Sequence, residues 1–358
     1  MAELKVRTDL SRSTLVVDET LDRGRASAAP SFMVYARVSR PPADGRLALD
    51  LPEGLYLPDE DRGDRMANEG LEVGWSVAAT PGIEPSRTTV AVRLFSHKHS
   101  VASTQVPVGI AVEGHGSFDP ERDAFRFAAT PHCFGSPRPT RAVFDATFRF
   151  GIRTPLRGRL YQGLYRRLFT HGLSSGMARA ALALSARGYQ VATAERRLLD
   201  KESRELVQIM HGRQLGDRNV GALRAWMQRP SPDGVFELVR GDLRSRLPQR
   251  YAIDIGLPRV SRWDVFGALA QPHATVVPYR YRISPERSAV VEVYDPAHPD
   301  DFDDNRLVID LALGRYEYRD WASEGASGPT ILAAIALEPL TVRQSAFEAG
   351  VAQVLGVA

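Results

Sequence analysis

The stretch LRGRLYQGLYRRLFTHGLSSGM, Leu156 to Met177, is where the chain changes from one kind of structure to another. Its leucines at 156, 160, 164 and 168 recur every fourth residue, so on a helix they share one face while the arginines take the other. Gly172 ends that helix. Ser174 and Ser175 open a second one, with Met177, Ala180, Ala181 and Leu184 on an apolar stripe and Arg187-Gly188 as its stop. Helical spacing continues over 194–211, 219–227 and 233–246. A helical region is therefore expected to begin near residue 151.

On the N-terminal side the pattern is of strands. SFMVYARV (31–38), LEVGWSVAA (71–79), TTVAVRLFS (88–96), VPVGIAVE (106–113), AFRFAAT (124–130) and VFDATFRF (143–150) are β-branched or aromatic, partly alternating, and separated by turn residues. Strands at that spacing without helices between them predict an antiparallel β-sandwich over 1–150. On the C-terminal side HATVVPYRYRI (273–283), SAVVEVYD (288–295), NRLVIDL (305–311) and GRYEYR (314–319) predict a meander. The whole reads as α+β: a sandwich, then a domain over 151–325 with a helical half and an antiparallel sheet half, then an extension over 326–358.

Composition narrows the function classes. With 358 residues, 43% of them hydrophobic and 25% charged, the chain has the make-up of a globular protein of about two domains. A single cysteine, Cys133, excludes an internal disulfide and any multi-cysteine metal or cluster site, and no cofactor is expected. MAELKVRTDL has no apolar signal core, and the longest aliphatic run, Ile331 to Leu337, is far below the roughly 20 residues of a membrane span. The expectation is a cytoplasmic protein without a membrane partner. The net charge of +3 conceals a basic middle: residues 151–250 carry 19 basic and 8 acidic side chains, and residues 251–358 carry 9 and 15. Arg153, Arg157, Arg159, Arg166 and Arg167 could meet phosphate, but no aromatic ladder accompanies them. A solvated helical face, or an interface with the acidic final third, is the preferred reading, and a nucleic-acid partner the lesser one.

Three pieces carry chemistry. Ser174 in Gly172-Leu173-Ser174-Ser175-Gly176-Met177 places a hydroxyl at a helix N-terminus, where free N–H groups favour negative charge. His273 opens a strand and Asp295 closes the next, so a short antiparallel connection would bring them to one end of a sheet, as a base and its orienting carboxylate require. Read singly, the serines are a helix cap, His273 a packing residue and Asp295-Pro296 a turn starter. The acidic loop of Asp300, Asp301, Asp303 and Asp304 lacks the glycine and terminal glutamate of a calcium loop and reads as solvated.

Together, GLSSGM (172–177), HATVVPYRY (273–281) and VYDPAHP (293–299) resemble bacterial papain-like proteins of the cysteine peptidase fold. Those carry Gly-Leu-Cys-x-Gly-Met, a strand opening on the catalytic histidine, and a strand ending in Tyr-Asp-Pro-x-His-Pro. The resemblance covers roughly 150–320 and implies that Ser174 holds the place of the nucleophilic cysteine, His273 that of the base and Asp295 that of the orienting acid. A thiol of pKa about 8.5 can be lowered to a stable thiolate at such a site, and a serine hydroxyl cannot. The glutamine that such enzymes commonly place six residues before the nucleophile is here Leu168. The resemblance thus implies a degenerate, non-catalytic protein, a pseudoenzyme that binds a peptide, a protein or an acyl-bearing ligand in a papain-like or interdomain cleft. The alternative is a working hydrolase or acyltransferase using Ser174, His273 and Asp295, and the third reading is a nucleic-acid-associated protein using 151–250.

Overall fold

A computed structural model gives the fold and describes residues 3–10, 13–20, 30–58, 64–68, 71–129, 139–147, 161–191, 201–245, 247–260, 265–323 and 329–337. The protein is of mixed α+β type with mostly antiparallel sheets. It divides into two compact units, Met1–Gly114 with Arg282–Ser288, and His115–Tyr281 with Ala289–Ala358. The boundary expected near 151 falls within the second unit, and residues 148–160 lie outside the described set, as do His132 and Cys133.

The first unit contains β1 (Glu3–Thr8), β2 (Thr14–Asp18), β3 (Ser31–Ser39), β4 (Arg46–Asp50), β5 (Leu55–Tyr56), β6 (Asp64–Met66), β7 (Glu72–Ala79), β8 (Ser86–Ser96) and β9 (His99–His115). One sheet runs β1-β3-β7-β5, and a second aligns β9, β8, β4 and β6, with β2 added parallel to β9. Alternation along β3 buries Phe32, Val34, Ala36 and Val38. They share one core with Trp75 and Val77 of the same sheet and with Leu47, Val90, Val92 and Leu94 of the other.

In the second unit a sheet is built from β10 (Tyr251–Pro258), β11 (Ala274–Ile283), β12 (Ser288–Tyr294), β13 (Arg306–Asp310), β14 (Arg315–Tyr318), β15 (Trp321–Ser323) and β16 (Thr330–Ala336). Its order is β16-β10-β11-β12-β13-β14-β15. Helices Ser174–Ser185, Lys201–Gly212, Asp217–Gln228 and Pro232–Leu243 contribute to this unit, preceded by a helical segment over 161–171 that begins as a π-turn and ends in a 3₁₀ turn. Met177, Leu182 and Val207 from the helices share a core with Leu257, Val277 and Ile331 from the strands. The carbonyl of Ala334 on β16 accepts from the Trp226 indole at 3.1 Å, which satisfies a polar group the sheet leaves over.

Three expectations are corrected. VFDATFRF, expected as a strand, is the helix Arg141–Thr147 as far as Thr147, with Val143, Phe144 and Thr147 buried at helical spacing and Thr140 Oγ1 accepting from Val143 N–H at 3.3 Å. AFRFAAT forms no strand over 124–129 and instead follows a short helix, Pro120–Asp123, capped by Asp119. The expected extension after 326 supplies β16, a nearly fully buried strand paired with β10. Among the described residues no helix is long and apolar enough to cross a membrane.

Candidate functional site

The two glycines of GLSSGM are required by packing. Gly172 sits at φ +100°, a region open to glycine, and a Cβ there would lie 2.6 Å from the carbonyl oxygen of Ala129. A Cβ on Gly176 would meet the Val207 carbonyl oxygen at 2.3 Å and the His211 Cβ at 2.8 Å, so glycine lets the Ser174–Ser185 and Lys201–Gly212 helices approach at backbone distance. Gly176→Ala is expected to cost about 1–3 kcal/mol through overpacking, read as a lower melting temperature with an unchanged far-ultraviolet spectrum. A neutral result would show that the helices can separate freely there.

The helix begins at Ser174 with Leu173 as its cap residue, and no side chain caps it. Ser174 is half-buried and has no side-chain hydrogen bond among the described residues. Ser175 is buried and accepts from Arg179 Nε at 3.0 Å. Arg179 reaches Asp254 Oδ2 on β10 at 3.4 Å, and Asp254 Oδ1 accepts from Thr275 Oγ1 at 2.7 Å. All four side chains are buried. This polar set ties the GLSSGM helix to β10 and to β11 two residues after His273. It is also a cation of the basic middle paired with an anion of the acidic final third.

His273 stands immediately before β11. Its Nδ1 lies 3.0 Å from the Gln271 carbonyl oxygen and its Nε2 3.2 Å from Gln214 Oε1. Both nitrogens face oxygen atoms of other residues, and neither is directed at Ser174. Gln214 is buried; its amide nitrogen donates to the His211 carbonyl at 2.9 Å and lies 3.2 Å from His211 Nδ1. His211 Nε2 in turn donates to the Leu168 carbonyl at 3.0 Å. That assigns the Nε2–H tautomer to His211. Burial, with smaller contributions from the charges of His273 and Arg179, lowers its pKa to about 4.

Asp295, directly after β12, is buried and does not meet His273. Its carboxylate accepts from Tyr318 O–H at 2.7 Å and Ala297 N–H at 2.8 Å, and lies 3.2 Å from His298 Nδ1. Burial first, and the Asp295 charge second, raise the Tyr318 phenol far above its ordinary range, so it stays a donor. The imidazole that Asp295 orients is therefore His298, three residues along, whose own side chain is half-exposed. In the acidic loop, Asp301 accepts from Arg319 at 2.8 Å and Asp303 lies 3.5 Å from Arg306. No cluster of three or more metal-ligating side chains occurs among the described residues.

Although Ser174, His273 and Asp295 are not hydrogen-bonded to one another, their segments converge. Leu173 N–H donates to Ala129 O at 3.4 Å, and Ala129 N–H donates to Pro296 O at 2.7 Å, which links GLSSGM to the Asp-Pro turn. From the other side, Leu168, His211, Gln214 and His273 form a continuous chain of contacts. His211 and Gln214 carried no motif. Their only sequence signal is spacing: His211 lies four residues after Val207 on the buried face of its helix, and Gln214 three further on. The first unit has a separate open concavity of about 490 Å³ among Asp44, Arg46, Asp64, Phe95, His97 and Lys98. Its His97–Asp44 pair, at 3.1 Å, sits on a histidine 86% exposed, where water screens the attraction.

No family model matches this sequence, and no curated protein matches it.

Proposed function

We propose that the second unit is a degenerate papain-like scaffold: non-catalytic, and binding a peptide, a protein or an acyl-bearing ligand where the GLSSGM helix start, His273 and the Asp-Pro turn converge. The observation that carries this reading is that Ala129 joins the start of the GLSSGM helix to the Asp-Pro turn by backbone hydrogen bonds, while the buried Ser175, Arg179, Asp254 and Thr275 join the same helix to the strand that follows His273. The absence of turnover follows from chemistry. Ser174 has no base aimed at it, because both nitrogens of His273 point at oxygens. The amide hydrogens of Gln214 are directed at His211, and Leu168 offers only a buried apolar side chain, so neither position supplies an oxyanion donor.

A panel of ester and peptide substrates given to the full chain is expected to show no turnover beyond that of Ser174→Ala. A wild-type rate falling 100-fold or more in both Ser174→Ala and His273→Ala would overturn the non-catalytic reading in favour of an active serine enzyme.

A further inference from the structure

We infer that Gln214 is the positioning residue for His273, taking the part that the papain-like pattern gives to Asp295. The inference rests on the papain-like reading for the importance of His273, but its geometry stands independently. Gln214 Oε1 faces His273 Nε2 at 3.2 Å, while Asp295 is taken up by Tyr318, the Ala297 N–H and His298.

A positioning group must itself be held, and Gln214 is. It lies in the 3₁₀ turn Arg213–Leu215 that continues the Lys201–Gly212 helix, is 1% exposed, and has its amide nitrogen fixed by the His211 carbonyl and His211 Nδ1. His211 is locked by its Nε2–H bond to Leu168 O and by the Phe169 ring, edge-on at 4.8 Å. With His211 as the Nε2–H tautomer, its bare Nδ1 must receive a hydrogen. The amide nitrogen therefore turns toward His211 and the amide oxygen toward His273. A buried tautomer thus dictates which atom His273 meets. The consequence for His273 is that its ring is held by an oxygen at each nitrogen, Gln214 Oε1 at Nε2 and the Gln271 carbonyl at Nδ1.

The test follows the His273 ring by NMR in the full chain, with His273→Gln giving the assignment. Gln214→Glu puts a carboxylate beside Nε2 and is expected to raise the His273 titration midpoint by about one pH unit or more; Gln214→Leu, which removes the acceptor, is expected to lower it. Asp295→Asn is expected to leave His273 within about 0.2 units and to move His298 instead. If Gln214→Leu fails to fold, Gln214→Glu and Asp295→Asn decide. An unmoved His273 in Gln214→Glu, or a His273 that responds to Asp295→Asn, would overturn the inference. None of these readouts involves Ser174, so failure of the papain-like reading would leave them standing and be seen separately in substitutions at 174.

Discussion

Arg179→Met is expected to destabilise the second unit by about 3–5 kcal/mol, because it leaves the Asp254 carboxylate buried without its cation. Asp254 is fully buried and Arg179 is 3% exposed, so water cannot take over for either group. Thr275 supplies one hydrogen bond to the carboxylate, which does not neutralise a charge. In thermal unfolding the loss corresponds to roughly 10 °C for a unit of this size. The pair is not thereby a net source of stability, since two desolvated ions repay little of the cost of leaving water. Arg179→Met combined with Asp254→Asn is accordingly expected to recover much of the loss, because the remaining amide can still accept from Thr275. Additive single effects would contradict that account, and a change of less than about 1 kcal/mol in Arg179→Met would contradict the burial.

The second large effect is on pH. His211 has its pKa lowered by burial from an ordinary 6.5 to about 4, so the unfolded chain binds its proton more readily than the folded protein does. The stability contributed by the neutral ring is fully present above about pH 6.5 and is lost as pH falls toward 4. Integrated over that window the loss is about 3 kcal/mol at roughly 1.4 kcal/mol per unit. Denaturant melts of wild type and His211→Gln at pH 7.5, 6, 5 and 4 check it. The wild-type curve is expected to fall more steeply below 6.5, and parallel curves would mean that His211 titrates alike in the folded and unfolded chain.

What could be read from the sequence follows how many faces each element buries. The helix from Ser174 and the strands β11 to β14 were legible because turn residues bound them and apolar positions mark them out. β10 and β16 were not recognised. Both are buried along nearly their whole length, and a strand covered on two faces reads as a continuous apolar run without a period. Residues 143–147 misled in the other direction. Val, Phe and Thr favour strands, but their positions at 143, 144 and 147 fit one face of a helix, and packing prevailed over propensity. In the site, the hydrogen bonds differ from those expected of the sequence. Asp295 and His273 were paired by sheet-end logic, yet the Asp-Pro turn brings His298 onto the carboxylate first, and Gln214 reaches His273 from a helix that no strand pattern could anticipate.

The central claim, a papain-like nucleophile position occupied by serine, is tested most directly by Ser174→Cys in a Cys133→Ser background. On that claim a sulfur at the helix N-terminus, with His273 as its partner, is expected to have a pKa below the ordinary 8.5, and so to be alkylated at pH 6 faster than a surface cysteine of the same protein. His273→Ala is expected to abolish the advantage. An ordinary alkylation profile at position 174, indifferent to His273→Ala, would contradict the claim and leave GLSSGM as a helix start alone.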